Sequence, residues 1–212
     1  MREMHDLVII GAGGFAREVA WLVEEINQSE QTWNLLGFID EDETKKDSVL
    51  NGYPVIGDFS ELKQKSNIYA VVGVGSPRVK KKLVGKCLEQ GLRFANLIHP
   101  GARHSKYLKL GLGTIICAGN ILTVNIDIGN HVILNLDCTV GHDVVINDYS
   151  TVAPGANISG NVVIGEGCDL GTNCSIIQGK SIGEWSTIGA GAVVIDDIPA
   201  YSTAVGVPAK TL

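Results

Sequence analysis

Residues 122–158 read LTVNIDIGNHVILNLDCTVGHDVVINDYSTVAPGANI, and every sixth letter is aliphatic: Leu122, Ile128, Leu134, Val140, Ile146, Val152 and Ile158. The spacing runs back through Ile116 to Leu110 and forward through Ile164, Leu170, Ile176, Ile182 and Ile188 to Val194, fifteen positions without a break. The next residue is often glycine, as at Gly129, Gly141, Gly165, Gly171, Gly183 and Gly189. A period of six matches neither the helical repeat of about 3.6 residues nor the two-residue alternation of an ordinary strand. It matches a coil of short flat strands joined by tight corners, whose stacked repeats fill the interior with aliphatic side chains. The stretch is expected to be a parallel β-helix built from hexapeptides.

The first half of the chain is patterned differently. Residues 6–10 are an apolar run of strand length ending at Gly11, and residues 14 to about 27 carry helical spacing, with Val19, Leu22, Val23 and Ile26 on one face. Residues 35–39 and 70–74 read as further strands, and 77 to about 90 as a second helix closed by Gly91. Strands alternating with helices predict an abbreviated, Rossmann-like α/β domain with a short parallel sheet, whose ligands bind beyond the carboxyl ends of the strands. That rule sets Gly11, Asp40 and Gly75 along one rim. The loop Gly11-Ala12-Gly13-Gly14-Phe15-Ala16 has the physics of a pyrophosphate cradle. Its glycines let the backbone approach an anion, and the helix that follows offers free N–H donors and a positive dipole end. A tightly packed strand-to-helix turn would read the same way. Gly11, Gly13 and Ala16 also satisfy a relaxed dinucleotide fingerprint, but the domain is short for a full dinucleotide fold.

Composition narrows the function. With 17 Lys and Arg against 23 Asp and Glu, the net charge of −6 argues against nucleic acid as a partner. No apolar run approaches the ~20 residues needed to cross a bilayer. The start, MREMHDLVII, lacks a signal peptide's long apolar core and cleavage site, so a cytoplasmic location is expected. The five cysteines (Cys87, Cys117, Cys138, Cys168, Cys174) lack metal-ligand spacing and are expected as buried thiols, with no metal site.

The hexapeptide run, the N-terminal LVIIGAGGFAREVAWLV and LLGFIDED, and the ending AVGVPAKTL together resemble the sialic acid O-acetyltransferase family of left-handed β-helix acyltransferases. Relatives of that family N-acetylate nucleotide-linked 4-amino-4,6-dideoxy sugars in bacillosamine-type pathways. The resemblance covers essentially the whole chain. It implies a triangular prism with three hexapeptides to a coil, a homotrimer, and acetyl-CoA as cosubstrate. It divides the chain into a nucleotide-sugar domain at residues 1–98, an acyltransferase β-helix at 99–198 and a tail at 199–212. It also implies that Gly13, Gly14 and Phe15 contact the nucleotide diphosphate sugar, that Asp40 and Glu41 hold its base or ribose, and that Gly75 is a further substrate glycine. Family members often have Asp where Glu41 stands and a polar residue where Phe15 stands, so the base is left open.

Acetyl transfer needs a base for the nucleophile's proton and a donor for the oxyanion. Histidine suits the first role because it titrates near neutrality. Of the five histidines, His5, His99, His104 and His131 sit where solvated or structural roles are expected. His142 lies in TVGHDVVIND beside Asp143, and Val140-Gly141-His142-Asp143 matches the family's catalytic motif. The resemblance makes His142 the general base and Asp143 the carboxylate that raises its basicity. Gly160, eighteen residues on and so one coil along, matches the glycine whose amide meets the acetyl carbonyl. Asn135 matches an asparagine near the acceptor sugar. Thr172 and Ala190 fall where pantetheine lies against the next subunit's coil. Nine residues after the catalytic histidine several relatives carry a second histidine that touches the coenzyme; here Thr151 stands there, able to hydrogen-bond but not to carry charge.

The leading expectation is acetyl-CoA-dependent N-acetylation of a nucleotide-diphosphate-linked 4-amino-4,6-dideoxy sugar. The alternatives are O-acetylation of a sialic acid or similar sugar, which would leave the nucleotide cradle unused, and a trimeric scaffold that binds a nucleotide sugar without turning it over.

Overall fold

The computed structural model describes residues 4–62 and 67–212. They fall into two compact units, one of residues up to 75 together with 79–100, the other of residues 76–78 together with 101–212.

The first unit runs β1 (His5–Ile10), α1 (Gly14–Ser29), β2 (Trp33–Ile39), β3 (Val49–Leu50), β4 (Tyr53–Gly57), β5 (Tyr69–Val72), α2 (Pro77–Glu89, all but its first two residues) and β6 (Arg93–Phe94). The six strands form one sheet in the order β3-β4-β2-β1-β5-β6. All neighbours in it are parallel except the β3–β4 pair. Central β1 is buried from Leu7 to Ile10, the continuous apolar run of a parallel strand covered on both faces. Helix α1 buries Ala16, Val19, Ala20, Leu22 and Val23. The structure adds β3, β4 and β6 to the elements expected from pattern. Pro54 disguises β4, whose pairing with β2 starts only at Val55.

The second unit is the left-handed parallel β-helix. Each strand in the repeat is two residues long and ends on the sixth-place aliphatic residue, as in Ile133–Leu134, Thr139–Val140 and Val145–Ile146. These strands stack into three parallel sheets. Partners differ by eighteen in sequence: Ile115 pairs with Ile133, Thr139 with Asn157, Val145 with Val163. Three hexapeptides therefore make one coil. Every member of the aliphatic series from Ile116 to Val194 is buried, and Leu110 in the first coil is half-buried. The residue four further on lines the core as well: Val132, Cys138, Val144, Ala156 and Cys168 are all fully buried there.

Counting the aliphatic residue as the first place, the coils are tied by N–H groups at the second, fourth and sixth places. Gly141 donates to the Ile158 carbonyl (2.8 Å), Asp143 to Val124 (3.1 Å) and Val145 to Val162 (3.0 Å). The third-place N–H stands outside this ladder. From Gly113 to Gly191 every fourth-place residue has positive φ, which turns each corner. Glycine, Asn and Asp fill most of these places, as their tolerance of left-handed backbone requires. At Gly119 (φ 76°) the glycine has a second cause: an added Cβ would collide with the Asp137 carboxylate one coil above. Beyond the repeat, Thr203–Val205 joins the sheet of Thr187–Ile188, and Lys210–Thr211 folds back antiparallel on it.

Candidate active site

His142 and Asp143 occupy the third and fourth places of one corner. Asp143 takes the left-handed conformation (φ 57°), which turns its side chain back to the ring beside it. His142 Nδ1 lies 2.8 Å from Asp143 Oδ2, leaving Nε2 outward; both side chains are about half exposed. Hydrogen bonds from His142 and then from the Asn125 side chain hold the Asp143 carboxyl below the usual carboxylate range. The carboxylate is thus ionised at neutral pH and faces the ring nitrogen that carries a proton in the imidazolium.

Gly160 sits one coil above on the same edge. A Cβ built on it would lie 2.5 Å from His142 Nε2 and Cε1. Only a residue without a side chain lets the imidazole lie where it does. The Gly160 N–H is a third-place donor with no acceptor among the described residues, while its carbonyl takes the Gly179 N–H at 3.0 Å. Gly141 is fixed differently: its Cβ would strike the backbone N of Gly160 at 2.6 Å. On the other side of Asp143 opens a cavity of about 530 Å³ lined by Lys106, Tyr107, Lys109, Asn125, Asp127 and Asp143, among others.

Sequence numbers place the remaining residues on other parts of the prism. Asn135, Thr172 and Ala190 belong to the hexapeptides that start at Leu134, Leu170 and Ile188, which share a different edge from Val140 and Ile158. Within one chain they are not brought to His142. Thr172 and Ala190 are exposed; Asn135 is half-buried, its side-chain oxygen accepting the Leu136 N–H at 2.8 Å. Thr151 lies in the strand Thr151–Val152 and is only 7% exposed.

In the N-terminal unit the glycine loop follows β1 and opens α1. The N-cap of α1 is Gly13, with no side-chain cap and no acidic residue in the first turn. An N-terminus left without capping oxygens keeps its donors and its positive dipole end for an external anion. The glycines of this rim separate into two kinds. Gly11 has φ 100° and Gly73 has no room for a Cβ against Ala16 and Ile9, so the fold itself requires them. Gly13 and Gly75 have no atom within 4 Å of an added Cβ, and Gly14 meets only an Arg17 nitrogen at 3.9 Å. Neither packing nor backbone conformation explains those three. Phe15, in the first turn of α1, is half-buried.

Asp40 closes the same rim from the end of β2. Its Oδ2 accepts the Ala12 N–H (2.8 Å) and the Lys45 ammonium (3.1 Å), and its Oδ1 the Asp42 N–H (3.0 Å). Burial alone would raise its pKa, but the hydrogen bonds from Asp42, Lys45 and Ala12 outweigh it and hold the carboxyl below the usual range. Asp40 thus clamps the glycine loop, a role the sequence did not announce. Glu41 pairs with Lys86. Next to them a cavity of about 390 Å³ is lined by Asp40, Glu41, Glu43, Asp47, Asp58, Lys46, Gly57 and Ser60, five carboxylates against one ammonium, a lining rich in acceptors for hydroxyl or N–H donors.

The other histidines are engaged elsewhere. His99 lies 3.0 Å from Glu25, His131 stacks on Tyr149, and His5 packs against Trp33 and Tyr69. His104 Nδ1 lies 3.2 Å from the Ser105 carbonyl. All five cysteines are buried free thiols, and burial pushes Cys87 and Cys174 up to about 12 and Cys138 and Cys168 up to about 11, out of reach as nucleophiles. Among the described residues no three His, Cys, Asp or Glu side chains converge as a metal site would, and no helix is long and apolar enough to cross a membrane.

Residues 6–87 match the PglD N-terminal domain family. A GDP-perosamine N-acetyltransferase of Escherichia coli O157:H7 is 31% identical over 150 residues, 70% of this chain and 67% of that protein. PerB of Caulobacter crescentus, solved with CoA and GDP-perosamine, superposes with a TM-score of 0.88 at 31% identity, covering 99% of this chain and 98% of that one. The acetyltransferase domain of PglB from Neisseria gonorrhoeae, solved with acetyl coenzyme A, superposes with a TM-score of 0.90 at 33% identity, covering 99% and 100%.

Proposed function

The chain belongs to the PglD family of hexapeptide-repeat acetyltransferases, and from that membership we propose that it moves an acetyl group from acetyl-CoA to the amine of a nucleotide-diphosphate-linked 4-amino-4,6-dideoxyhexose. The observation that carries the reading is the His142–Asp143 pair, with Nδ1 committed to the carboxylate and Nε2 free beside Gly160. In the reaction the acceptor nitrogen attacks the thioester carbonyl, a C–N bond forms and the C–S bond breaks. His142 Nε2 takes the proton the nitrogen sheds and passes it to the departing thiolate, so the products are the amide and free CoA thiol. Asp143 stabilises the imidazolium held between those two transfers. The N–H of Gly160 is the donor we assign to the carbonyl oxygen as it gains charge.

We assign binding of the sugar nucleotide to residues 1–98 and transfer to residues 99–198, with 199–212 as the tail. The diphosphate goes to the uncapped start of α1 at Gly13, Gly14 and Phe15, where the two glycines leave the backbone accessible and Gly75 adds open space across the rim. The acidic cavity at Asp40 and Glu41 suits the hydroxyls or ring N–H groups of the nucleoside. The relatives solved with GDP-perosamine make GDP one carrier to test, beside UDP and dTDP. We further propose a homotrimer. The edge bearing Asn135, Thr172 and Ala190 is remote from His142 along one chain, and a three-fold arrangement brings a neighbour's copy of it opposite His142, to hold acceptor and pantetheine. The cytoplasm is the proposed location, as a source of both substrates and a reducing medium for five free thiols.

Purified protein incubated with acetyl-CoA and UDP-, dTDP- and GDP-linked 4-amino-4,6-dideoxyhexoses, with free sialic acid as the O-acetyl control, tests the reading by mass spectrometry. One acetyl gained on a nucleotide amino sugar supports it. Acetylation of sialic acid alone, or binding of sugar nucleotides without turnover, overturns it.

A further inference from the structure

We propose that Asn125, one coil below Asp143, is a positioning residue of the acetyl transfer, setting the plane of the Asp143 carboxylate and through it the orientation and basicity of His142. The inference rests on the reading of His142 as the base. Asn125 and Asp143 are eighteen residues apart at successive left-handed corners, with φ of 55° and 57°. Their side chains leave the same edge in parallel. The Asn125 amide nitrogen donates to Asp143 Oδ1 at 3.1 Å while Oδ2 faces His142 Nδ1 at 2.8 Å. The two coils are joined at the same point by the bond from the Asp143 N–H to the Val124 carbonyl. Both carboxylate oxygens are thus spoken for, one by the ring and one by the amide. Rotation of the carboxylate about its last bond would break both contacts together.

Asparagine fits this place for two separable reasons. It tolerates the left-handed backbone, which glycine and aspartate also do, and it presents an N–H to a carboxylate, which neither of those does. Elsewhere in the prism a similar contact has no catalytic partner: Asn130 donates to Asp148 at 3.1 Å, but the other Asp148 oxygen takes the Asn130 backbone N–H. The charged groups facing the cavity beside Asp143 are Lys106, Lys109 and Asp127. Lys109 is turned to Asp127 at 3.4 Å and Lys106 lies over the Tyr107 ring at 5.2 Å. Among the described residues, His142 and Asn125 are the side chains hydrogen-bonded to the Asp143 carboxylate.

Asn125→Gly keeps the corner and removes the donor; Asn125→Asp keeps corner and shape but sets a second carboxylate against Asp143. For Asn125→Gly we expect kcat to fall about threefold to tenfold, the scale of one ordinary net hydrogen bond. The KM for acetyl-CoA and the melting temperature should stay near wild type, and the His142 pKa read by NMR should shift from its wild-type value. For Asn125→Asp the same pKa should rise, because added negative charge favours the imidazolium. In an Asp143→Asn background Asn125→Gly should cost nothing more. A folded Asn125→Gly protein with kcat within twofold of wild type and an unmoved His142 pKa overturns the proposal, as does a full further loss in the Asp143→Asn background. The NMR titration needs no substrate, so it reads the coupling even where no acceptor is acetylated and the functional reading itself has failed.

Discussion

Replacing Gly160 by alanine puts one methyl group into the active edge and nothing else. Its Cβ would stand 2.5 Å from two atoms of the His142 ring, so the ring must retreat by about 1 Å to reach ordinary carbon contact near 3.5 Å. The ring can do so cheaply, since its side chain is 49% exposed and opens to solvent. Gly160 has no left-handed φ to strain, so stability should change by less than about 1 kcal/mol. The catalytic cost is larger, because a shift of 1 Å stretches the 2.8 Å bond to Asp143 and moves Nε2 off line. A misplacement of about 1 Å costs roughly 10²-fold in rate, and that is the expected fall in kcat. Alanine keeps its N–H, so the loss reports the position of the ring rather than a missing oxyanion donor. Turnover is followed as CoA thiol release and the fold by calorimetry. A kcat within threefold of wild type refutes the reasoning, as would a double variant with His142→Ala far slower than His142→Ala alone.

His142→Ala should lower kcat by about 10²–10⁴ without abolishing it, since part of an amine is unprotonated near neutral pH; turnover within twofold of wild type would remove the base assignment. Gly14→Ala should leave stability unchanged or raise it by about 0.4–1 kcal/mol, because the new Cβ meets little, yet raise the KM for the sugar nucleotide at least tenfold in steady-state assays. Asp40→Asn should cost about 1–3 kcal/mol by weakening the clamp on the loop, and raise the sugar-nucleotide KM while that for acetyl-CoA holds; equal rises would merge the two sites. Because the folded Asp40 pKa lies below its ordinary 3.8, the stability it confers is present above pH 4 and is lost as pH falls through the lowered value. Melting curves between pH 2.5 and 7 should show that acid step in wild type and a smaller one in Asp40→Asn.

The β-helix was legible because its period is written in one residue class; two-residue strands carry no local signal, but fifteen aliphatic residues in phase do. The corners were less so. Asn125, Asp137 and Asn161 suit a left-handed bend, but His131, Tyr149 and Trp185 share their place and mask it. In the first unit β1 and α1 stood out as long apolar patterns, while β3 and β6, two residues each, are made by their neighbours rather than by propensity. At the candidate site His142, Asp143 and Gly160 were readable from a motif and an eighteen-residue offset. The clamp at Asp40 and the amide of Asn125 were not, since a strand-end aspartate and a corner asparagine look alike whether or not they hold another side chain. Subtracting eighteen from 143 would have pointed to Asn125.

The strict offset of eighteen between paired strands makes sequence number a height gauge. Each eighteen residues lift the chain by one strand spacing, about 4.8 Å, so the vertical separation of any two groups on the prism is fixed by subtraction. Length changes within the repeat are therefore quantised. Insertion of a whole coil above Ile176 would lengthen the prism by one step and keep every side chain on its face. Insertion of a single residue in a flat strand would turn the next aliphatic side chain to solvent and push every later corner out of line with the one beneath it. A lineage built on this chain could grow or shrink along the axis only by that unit, and the spacing between His142 and the groups above it would change in whole steps.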